Sequence, residues 1–508
     1  MQVASAEDTQ VVDLGYAKYQ GVLNATLNIT SFLGMRYASP PLGELRFQVP
    51  QPPTPVSEVQ MADTMPQRCP QAASGQATDN PFTSHVSSRE TYEIEDCLFI
   101  NVFVPSRIKA ASKLPVVVFI HGGGYVAGGM TQTHGSDLIR EGQGHVIAVE
   151  MQYRIGLFGF LAGSQVKDKG ALNAGLLDQE LALKWIQKYI SSFGGDPSKV
   201  TIWGQSAGAG SVYQHIVAHG GETEPPLFRA GMTSSTFVPP QYNYNDPVPE
   251  SVFQDVLKQT GPSCSNSSSF ECLVSLDASV LQEVNVLVCN STFHGTMAFT
   301  PVIDGELITE RPIDTIRKGR LNGQTLLSVT NSFEGKSFVD RDITAHMTLS
   351  QYVKQLFPTL TDTQIATAVK LYVIIDLVDV NEQAAQVYEE AILFCPTYFL
   401  LDAFPHGMAF KGEFAVPPAL HASDVGYYFP SSSIPPIPNP ILAAAFSRSF
   451  LSMVQTESPR SDGLQDNVLK HWPAYDDRQS EMLFNITGNG TAVVKVIHTD
   501  SGLVERCR

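Results

Sequence analysis

The chain has 508 residues, of which 43% are hydrophobic and 16% charged, and its formal net charge is −17. This composition is typical of a soluble globular protein and excludes a disordered one. The strong negative charge argues against nucleic acid and anionic membrane surfaces as partners. No apolar run reaches the roughly 18 residues of a membrane-spanning helix.

The first half of the chain alternates strand patterns with helix patterns. Apolar runs at 114–120 (LPVVVFI) and 145–153 (HVIAVEMQY) predict buried strands. Between 178 and 193 apolar residues recur at helical spacing, and the glycines at 194 and 195 predict the end of that helix.

The same alternation continues through the middle of the chain. A strand is predicted at 200–203 (VTIW), a helix at 207–220 and a further strand at 325–330 (TLLSVT). Such alternation is typical of parallel strands joined by crossover helices. We therefore predict an α/β fold, with a large and mostly parallel sheet covered by helices on both faces.

The second half adds elements to this core. Helical patterns dominate between 340 and 400, which predicts a helical cap or insertion, and the proline-rich stretch at 427–440 predicts a loop. Neither an internal repeat nor a clear linker divides the sequence. Because large α/β enzymes often keep one core at this length, we expect a single domain over residues 1–508.

The stretch VTIWGQSAGAGSV places Ser206 between a predicted strand and a predicted helix. A nucleophile elbow has this arrangement, since the serine must project from a strained turn at the edge of the sheet, and glycines on either side let strand and helix approach closely. The helix N-terminus favours a developing negative charge. The alternative is a serine that only caps the helix, but the strand–turn–helix context favours a nucleophile.

A glycine-rich segment, HGGGYVAGG at 121–129, follows the strand predicted at 114–120. Ester cleavage requires backbone N–H groups aimed at the tetrahedral oxyanion, and only glycine lets successive amides turn toward one point without intruding side chains. A flexible surface loop is the alternative. Together with the serine motif, the segment predicts an oxyanion hole.

The serine requires a histidine base oriented by a carboxylate, in the chain order serine, acid, histidine for this fold. Glu334 comes just past the strand predicted at 325–330, whereas the competing Asp340 and Asp342 lie farther from the strand end. Two histidines follow, His406 and His421. Chain order does not choose between them, although the local sequence favours His421.

The cysteines and sequons indicate an oxidising compartment. Cys264 and Cys272 flank a short polar loop that suits a local disulfide, and Cys69 and Cys97 bracket a second polar loop. No Cys-x-x-Cys pair indicates zinc, and an odd total of seven leaves one cysteine unpaired. Asn-x-Ser/Thr sequons, each weak alone, lie at Asn24, Asn28, Asn266, Asn290, Asn485 and Asn489.

We therefore expect a secreted glycoprotein in preference to a cytosolic protein with reduced thiols. The first ten residues lack a basic n-region and an apolar h-region. If the protein is made with a signal peptide, we expect that peptide to be absent from this chain.

Several segments, in the order in which they occur along the chain, resemble those of the type-B carboxylesterases. This family forms the cholinesterase- and fungal-lipase-like branch of the α/β-hydrolases. The similarity runs from about residue 30 to the C-terminus and looks greatest to the secreted fungal esterases. It rests above all on the segments FLGMRYASPPLGELRF (32–47), EDCLFINVFVP (95–105) and GQSAGAGSV (204–212), together with YRIGLFGFL, NAGLLDQELALKW, FGGDP, PVIDG and HWPAY.

The resemblance implies an α/β-hydrolase fold and assigns roles to residues. Its catalytic serine, acid and histidine fall on Ser206, Glu334 and His421, although Ala422 stands where the family more often has glycine. It also implies backbone oxyanion donors and a supporting serine near the acid. These fall on Gly123, Gly124, Ala207 and Ser234.

The cholinesterase-like pattern further implies three disulfides, one free thiol and two structural ion pairs. The disulfides are Cys69–Cys97, Cys264–Cys272 and Cys395–Cys507, the free thiol is Cys289, and the ion pairs are Arg46–Glu95 and Arg154–Asp178.

We accordingly expect a secreted serine carboxylesterase that acts on small-molecule esters through an acyl-enzyme, with no metal and no organic cofactor. One alternative is an interfacial lipase or sterol esterase of the same fold. The mostly polar loop between Cys69 and Cys97 disfavours it, because such lipases carry an amphipathic lid there, although a lid could instead lie within 340–400. A non-catalytic binding protein is a more remote alternative, because all three catalytic positions are filled.

Overall fold

The computed structural model describes residues 9–78, 94–106, 112–264, 269–373, 377, 379–460, 471–476 and 478–508. The strands within these ranges are β1 (Thr9–Asp13), β2 (Lys18–Asn24), β3 (Ile29–Arg36), β4 (Val59–Met61), β5 (Phe99–Pro105), β6 (Leu114–Ile120), β7 (Ile147–Met151), β8 (Gly195–Gln205), β9 (Ala230–Ser234), β10 (Thr325–Asn331), β11 (Ala409–Phe414), β12 (Ser480–Ile486) and β13 (Ala492–His498).

The helices are α1 (Gly135–Glu141), α2 (Gly156–Phe160), α3 (Ser164–Lys169), α4 (Ala174–Tyr189), α5 (Ala207–Gly221), α6 (Pro247–Gln259), α7 (Phe270–Ser275), α8 (Ala278–Asn290), α9 (Pro312–Arg317), α10 (Arg341–Thr344), α11 (Leu349–Leu356), α12 (Asp362–Val373), α13 (Val380–Glu389), α14 (Cys395–Ala403), α15 (Val425–Tyr428), α16 (Pro440–Thr456) and α17 (Ser501–Cys507). Among these described helices, none combines the length and the apolar character needed to cross a bilayer.

The described strands form one sheet, in the order β1-β2-β3-β5-β7-β6-β8-β9-β10-β11-β12-β13, with β4 beside β2. The centre from β7 to β12 is parallel. On the N-terminal side, β1, β2, β3 and β5 pair antiparallel, as do β5 and β7, whereas β4 lies parallel to β2, and β13 is antiparallel to β12. The sheet is therefore mostly parallel at its core, as the alternating sequence pattern predicted. That the whole chain forms one domain stays a prediction.

Both faces of the parallel centre are buried. In β6, Val116, Val118 and Ile120 pack into one apolar cluster, whereas Val117 and Phe119 pack into a second cluster. Because successive side chains of a strand point to opposite faces, the two clusters cover the two sides of the sheet. The continuous apolar run in the sequence reflects this double burial.

Most of the predicted elements are confirmed. The five strand and helix segments predicted between 114 and 220 all form, and the helix predicted at 178–193 begins four residues earlier, as α4. The region 340–400 contains α10 to α13 and most of α14. The proline-rich stretch is a loop except at its ends, which belong to α15 and α16.

The two implied ion pairs are buried and bidentate. The Arg46 guanidinium donates to both carboxylate oxygens of Glu95, at 2.6 and 2.7 Å. The Arg154 guanidinium donates to those of Asp178 at 2.7 and 2.8 Å. Arg154 lies in the loop between β7 and α2, so its pair with Asp178 fixes that loop to α4.

The three implied disulfides are present, and Cys289 is a buried free thiol. Burial raises the pKa of the Cys289 thiol, which makes it an unreactive part of the core.

The sequons fall in different environments. Asn24, Asn28 and Asn489 are exposed, Asn485 is half-buried, and Asn266 lies outside the described residues. Asn290 is 4% exposed, at the end of α8. The expectation of glycosylation at Asn290 is therefore wrong for the folded chain, because a glycan cannot be accommodated on a side chain packed in the interior.

The disulfides should differ in their contribution to stability. Cys395 and Cys507 are 112 residues apart, whereas Cys264 and Cys272 are 8 apart. In the chain-entropy model, cross-linking the longer loop restricts the unfolded chain more, by about 2 kcal/mol. Replacing both Cys395 and Cys507 by serine should therefore lower the free energy of unfolding by about 2 kcal/mol more than replacing both Cys264 and Cys272. Equal losses in urea titrations would contradict this expectation.

Candidate active site

The turn between β8 and α5 has the geometry of a nucleophile elbow. Ser206 adopts φ 57° and ψ −125°, a strained conformation for a residue with a side chain. A Cβ at Gly204 would lie 2.1 Å from the carbonyl carbon of Gly208, so only glycine allows strand and helix to approach this closely. The Ser206 N–H donates to the Ser234 carbonyl at 2.9 Å. These contacts hold the serine at the carboxyl edge of the sheet.

The structure brings Ser206, Glu334 and His421 together. His421 Nε2 lies 2.8 Å from Ser206 Oγ, and His421 Nδ1 lies 2.6 Å from Glu334 Oε2. Because a carboxylate can only accept, the Nδ1–H donates to Glu334, which leaves Nε2 free to accept the serine proton.

The competing candidates lie elsewhere. The Asp340 carboxylate caps α10 by accepting from the N–H groups of Asp342 and Ile343. Asp342 and His406 are exposed, and His406 precedes β11 at the end of that strand opposite to His421.

Neighbouring backbone segments position the acid and the base. The Glu334 side chain is fully buried, and its Oε1 accepts from the N–H of Asn331 at 2.8 Å. The Phe333 N–H donates to the carbonyl of Ala419 at 2.9 Å, which joins the turn that carries Glu334 to the loop that carries His421. Ala422 has φ 66°, the left-handed conformation that favours the glycine more usual in the family.

Two side chains that the sequence did not single out contact the His421 ring. The ring of Phe338 meets it edge to face, with centroids 4.9 Å apart. The Gln205 amide nitrogen lies 3.4 Å from His421 Nε2. These contacts restrict the imidazole to the orientation in which it bridges Ser206 and Glu334.

Two further carboxyl groups lie near Glu334. Glu389 accepts a hydrogen bond from the Gly335 N–H at 3.0 Å, and burial, with a smaller effect of the nearby Glu334 charge, raises its pKa to about 8. Burial likewise raises the pKa of Asp424 to about 6, although this group accepts from the Asn331 amide at 3.1 Å and from a tyrosine hydroxyl. Glu389 therefore stays mostly protonated near neutral pH, which limits the negative charge around Glu334, whereas Asp424 is largely neutral only below about pH 6.

Ser234, which the family pattern implies as a supporting residue near the acid, contacts the turn that carries Ser206. Its hydroxyl accepts from the Trp203 indole at 3.1 Å, and its carbonyl holds the Ser206 N–H. Among the described residues, no hydrogen bond joins Ser234 to Glu334. Ser234 therefore supports the turn that carries Ser206, and its support of Glu334 stays a prediction.

The glycine-rich loop after β6 lies beside Ser206. Gly123 and Gly124 have φ values of 111° and 64°, which favour glycine, and the Gly123 carbonyl accepts from the N–H groups of Val126 and Ala127. Both glycines line a cavity of about 640 Å³, open to solvent, together with Ser206 and His421. Ala207 is the first residue of α5 and directly follows the serine. The arrangement can place three N–H groups around a carbonyl oxygen bound at Ser206.

Comparisons with known proteins agree with this geometry. Residues 8–501 match the model of the carboxylesterase family. The chain belongs to the carboxylesterase family. It is 30% identical over 524 residues to carboxylesterase patB of Aspergillus clavatus, which covers 94% of this chain and 92% of that protein. It is 28% identical over 528 residues to lipase 1 of Geotrichum candidum, which covers 92% of this chain and 90% of that protein.

The crystal structure of Aspergillus niger EstA superposes with a TM-score of 0.85 at 28% identity, and covers 99% of this chain and 98% of that one. The expected α/β-hydrolase fold is confirmed. The protein is a carboxylic ester hydrolase of this family, whose relatives include fungal carboxylesterases and lipases.

The raised pKa of Glu389 predicts a pH-dependent stability. The folded chain keeps this proton up to about pH 8, whereas an unfolded chain releases it near the ordinary glutamate pKa of 4.5. The stabilisation is therefore complete below pH 4.5 and is lost as the pH rises through 8. Glu389→Gln keeps an acceptor for the Gly335 N–H and removes the titration. It should gain on the order of 4 kcal/mol over the wild type at pH 8 and almost nothing at pH 4.5.

Urea titrations between pH 4.5 and 8.5 measure this difference. Glu382→Gln, at a partly exposed position of the same helix, is the matched control and should keep the wild-type pH profile. If the free energy of unfolding of Glu389→Gln varied with pH in parallel with that of the wild type, the raised pKa of Glu389 would be contradicted.

Proposed function

We propose that the protein is a secreted serine carboxylesterase, with Ser206 as nucleophile, His421 as general base and acid, and Glu334 as the orienting carboxylate. The observation that carries the proposal is the continuous hydrogen-bonded chain from Ser206 Oγ through His421 to the buried Glu334 carboxylate, with distances of 2.8 and 2.6 Å.

In the first half of the reaction, Ser206 Oγ attacks the ester carbonyl as His421 Nε2 takes its proton. The Glu334 carboxylate stabilises the imidazolium that forms. The N–H groups of Gly123, Gly124 and Ala207 donate hydrogen bonds to the oxyanion, and loss of one such donor costs roughly 2.7–4 kcal/mol in a comparable enzyme. His421 then returns the proton to the departing alkoxide, and the acyl group stays on Ser206.

In the second half, water enters the place of the alcohol. His421 removes a proton from this water, which attacks the acyl carbonyl and forms a second tetrahedral intermediate on the same three amides. Collapse of that intermediate expels Ser206 Oγ, which recovers the proton from His421. Each proton is thereby accounted for by the protein and water alone, so the proposal needs neither metal nor organic cofactor.

The shape of the site favours an ester with one apolar group. The cavity at Ser206 adjoins a second cavity of about 870 Å³, including its open part, whose walls are mainly apolar. Phe237 and Met297 line both cavities and form the wall between them. Because Met297 is flexible and unbranched, it can yield to a substrate chain. Helices of the 340–400 region supply part of the far wall through Leu356 and Tyr388.

The alternative within the family is an interfacial lipase or sterol esterase, which the similarity to lipase 1 of Geotrichum candidum keeps open. The polar composition of the loop between Cys69 and Cys97 favours a hydrolase of dissolved esters, although residues 79–93 of that loop lie outside the described part of the chain. A non-catalytic binding role is disfavoured by the complete hydrogen-bonded set at Ser206.

Secretion is part of the proposal. Three disulfides and exposed sequons at Asn24, Asn28 and Asn489 are consistent with an oxidising, extracellular environment.

The nucleophile is tested by hydrolysis of p-nitrophenyl butyrate and palmitate. Wild type should cleave the butyrate, and Ser206→Ala should lose at least about 10⁴-fold in kcat. Weak palmitate cleavage, with no increase above the micelle threshold, would agree with an esterase, whereas strong palmitate cleavage would favour the lipase alternative. Retained activity in Ser206→Ala, or no cleavage of either ester by the wild type, would refute the proposal.

The wall between the cavities should control chain length. Met297→Ala joins the two cavities. It should raise the ratio of kcat/KM for p-nitrophenyl octanoate to kcat/KM for the butyrate by about fourfold or more, which corresponds to burying one further methylene of the substrate. Met61→Ala, at an exposed methionine on β4, is the matched control and should keep the wild-type ratio. An unchanged ratio in Met297→Ala would exclude the second cavity as part of the substrate site.

A further inference from the structure

The oxyanion loop at 121–129 is held at several points by the surrounding fold. At its start, the Tyr153 hydroxyl donates to the His121 carbonyl at 2.7 Å, and the two rings stack with centroids 4.4 Å apart. In its middle, the Gly156 N–H donates to the Tyr125 carbonyl at 2.7 Å. Both contacts come from the segment after β7, so this side of the loop rests on the core.

The far end of the loop is held by one side chain from another part of the chain. The Gln71 amide nitrogen donates to the carbonyl of Gly128 at 2.8 Å, and the Gln71 Oε1 accepts from the Gly128 N–H at 2.7 Å. The same nitrogen donates to the Cys69 carbonyl at 2.8 Å. One carboxamide thus satisfies both backbone groups of Gly128 and ties them to the residue that begins the first disulfide loop.

Gly128 contacts the start of the same loop, so its position affects the oxyanion glycines. A Cβ at Gly128 would lie 2.1 Å from the Gly122 carbonyl oxygen and 2.5 Å from His121 Nδ1. Between these two points, the Gly123 carbonyl accepts from Val126 and Ala127, which closes the loop into a compact turn. Because the packing leaves no gap, a shift of Gly128 is transmitted to the amides of Gly123 and Gly124.

The segment that carries Gln71 is itself firmly anchored. Cys69 and its partner Cys97 are buried, and the Ala72 N–H donates to the Val126 carbonyl at 2.8 Å. The next residues, Ala72 to Ser74, line the reaction cavity beside Gly123 and Gly124. The base of the disulfide loop therefore forms part of the site wall and also holds the oxyanion loop.

We propose that Gln71 is a positioning residue for the oxyanion hole: its carboxamide fixes Gly128, and thereby the amides of Gly123 and Gly124, at the distance that the tetrahedral intermediate requires. The inference rests on the proposed role of Ser206. Gln71 is not one of the residues that the family pattern assigned to the site. It acts on the transition state through the loop, so its loss should lower kcat far more than it changes KM.

The first test is Gln71→Met, which keeps the length of the side chain and removes the hydrogen bonds described above to Gly128 and Cys69. We expect kcat for p-nitrophenyl butyrate to fall by about ten- to hundredfold, as for displaced catalytic groups, with KM within about twofold. Affinity for an alkyl trifluoromethyl ketone, which forms a tetrahedral adduct with the serine, should fall by the same factor as kcat. Gln76→Met, an exposed glutamine in the same segment, is the matched control and should keep wild-type kinetics.

Gln71→Glu supplies a second variant in case Gln71→Met does not fold. Its ionised carboxylate can still accept from the Gly128 N–H but repels the carbonyls of Gly128 and Cys69. Its protonated form restores one donor. Activity relative to the wild type should therefore recover as the pH falls, and a purely structural role of Gln71 would give no such recovery.

The inference would be overturned if folded Gln71→Met kept the wild-type kcat, or if kcat and KM changed equally while the affinity for the ketone stayed the same. It would also be overturned if the ratio of Gln71→Glu activity to wild-type activity did not change with pH. Ser206→Ala measured alongside separates the two proposals. If Ser206→Ala is inactive and Gln71→Met is fully active, only the role of Gln71 fails. If Ser206→Ala retains the activity, the proposed function fails.

Discussion

The position of His421 between Ser206 and Glu334 is the constraint on which the rest of the site depends. Its two ring nitrogens lie 2.8 Å from one partner and 2.6 Å from the other, and each of the three residues follows a different parallel strand. Such short contacts require β8, β10 and β11 to keep a fixed register, which their ladders supply. Burial on both faces of the sheet gives that register its rigidity. The order of the strands, more than any local motif, therefore brings His421 to Ser206.

The features that could be predicted from the sequence are those with a local signal. The nucleophile turn is encoded by Gly204 and Gly208, which the close approach of strand and helix requires, and the oxyanion loop by its run of glycines. Continuous apolar runs marked the central strands because both of their faces are buried. The local sequence favoured His421 over His406 only weakly, and the family resemblance strengthened that choice, since local patterns do not report which end of a strand a histidine occupies. Glu334 was favoured over Asp340 and Asp342 because it comes just past a predicted strand.

The features that could not be predicted depend on contacts between distant segments. Gln71 lies 57 residues from Gly128, and no pattern around either one indicates that the carboxamide satisfies both backbone groups of that glycine. Glu389 reaches Gly335 across 54 residues. Asn290 has a sequon like the exposed ones, and only its packing at the end of α8 excludes a glycan. Such long-range contacts decide how a site recognised from its motifs is held in position and tuned.

Covalent labelling of the nucleophile tests the central claim most directly. The protein would be treated with an alkyl p-nitrophenyl phosphonate. A nucleophilic serine attacks its phosphorus and expels p-nitrophenolate, which leaves a stable phosphonyl mimic of the tetrahedral intermediate on the serine oxygen. The modified peptide would be identified by mass spectrometry. The account predicts one phosphonyl group per chain, on Ser206, with esterase activity lost in proportion to labelling. A label on another residue, or full activity in the chain modified at Ser206, would contradict it.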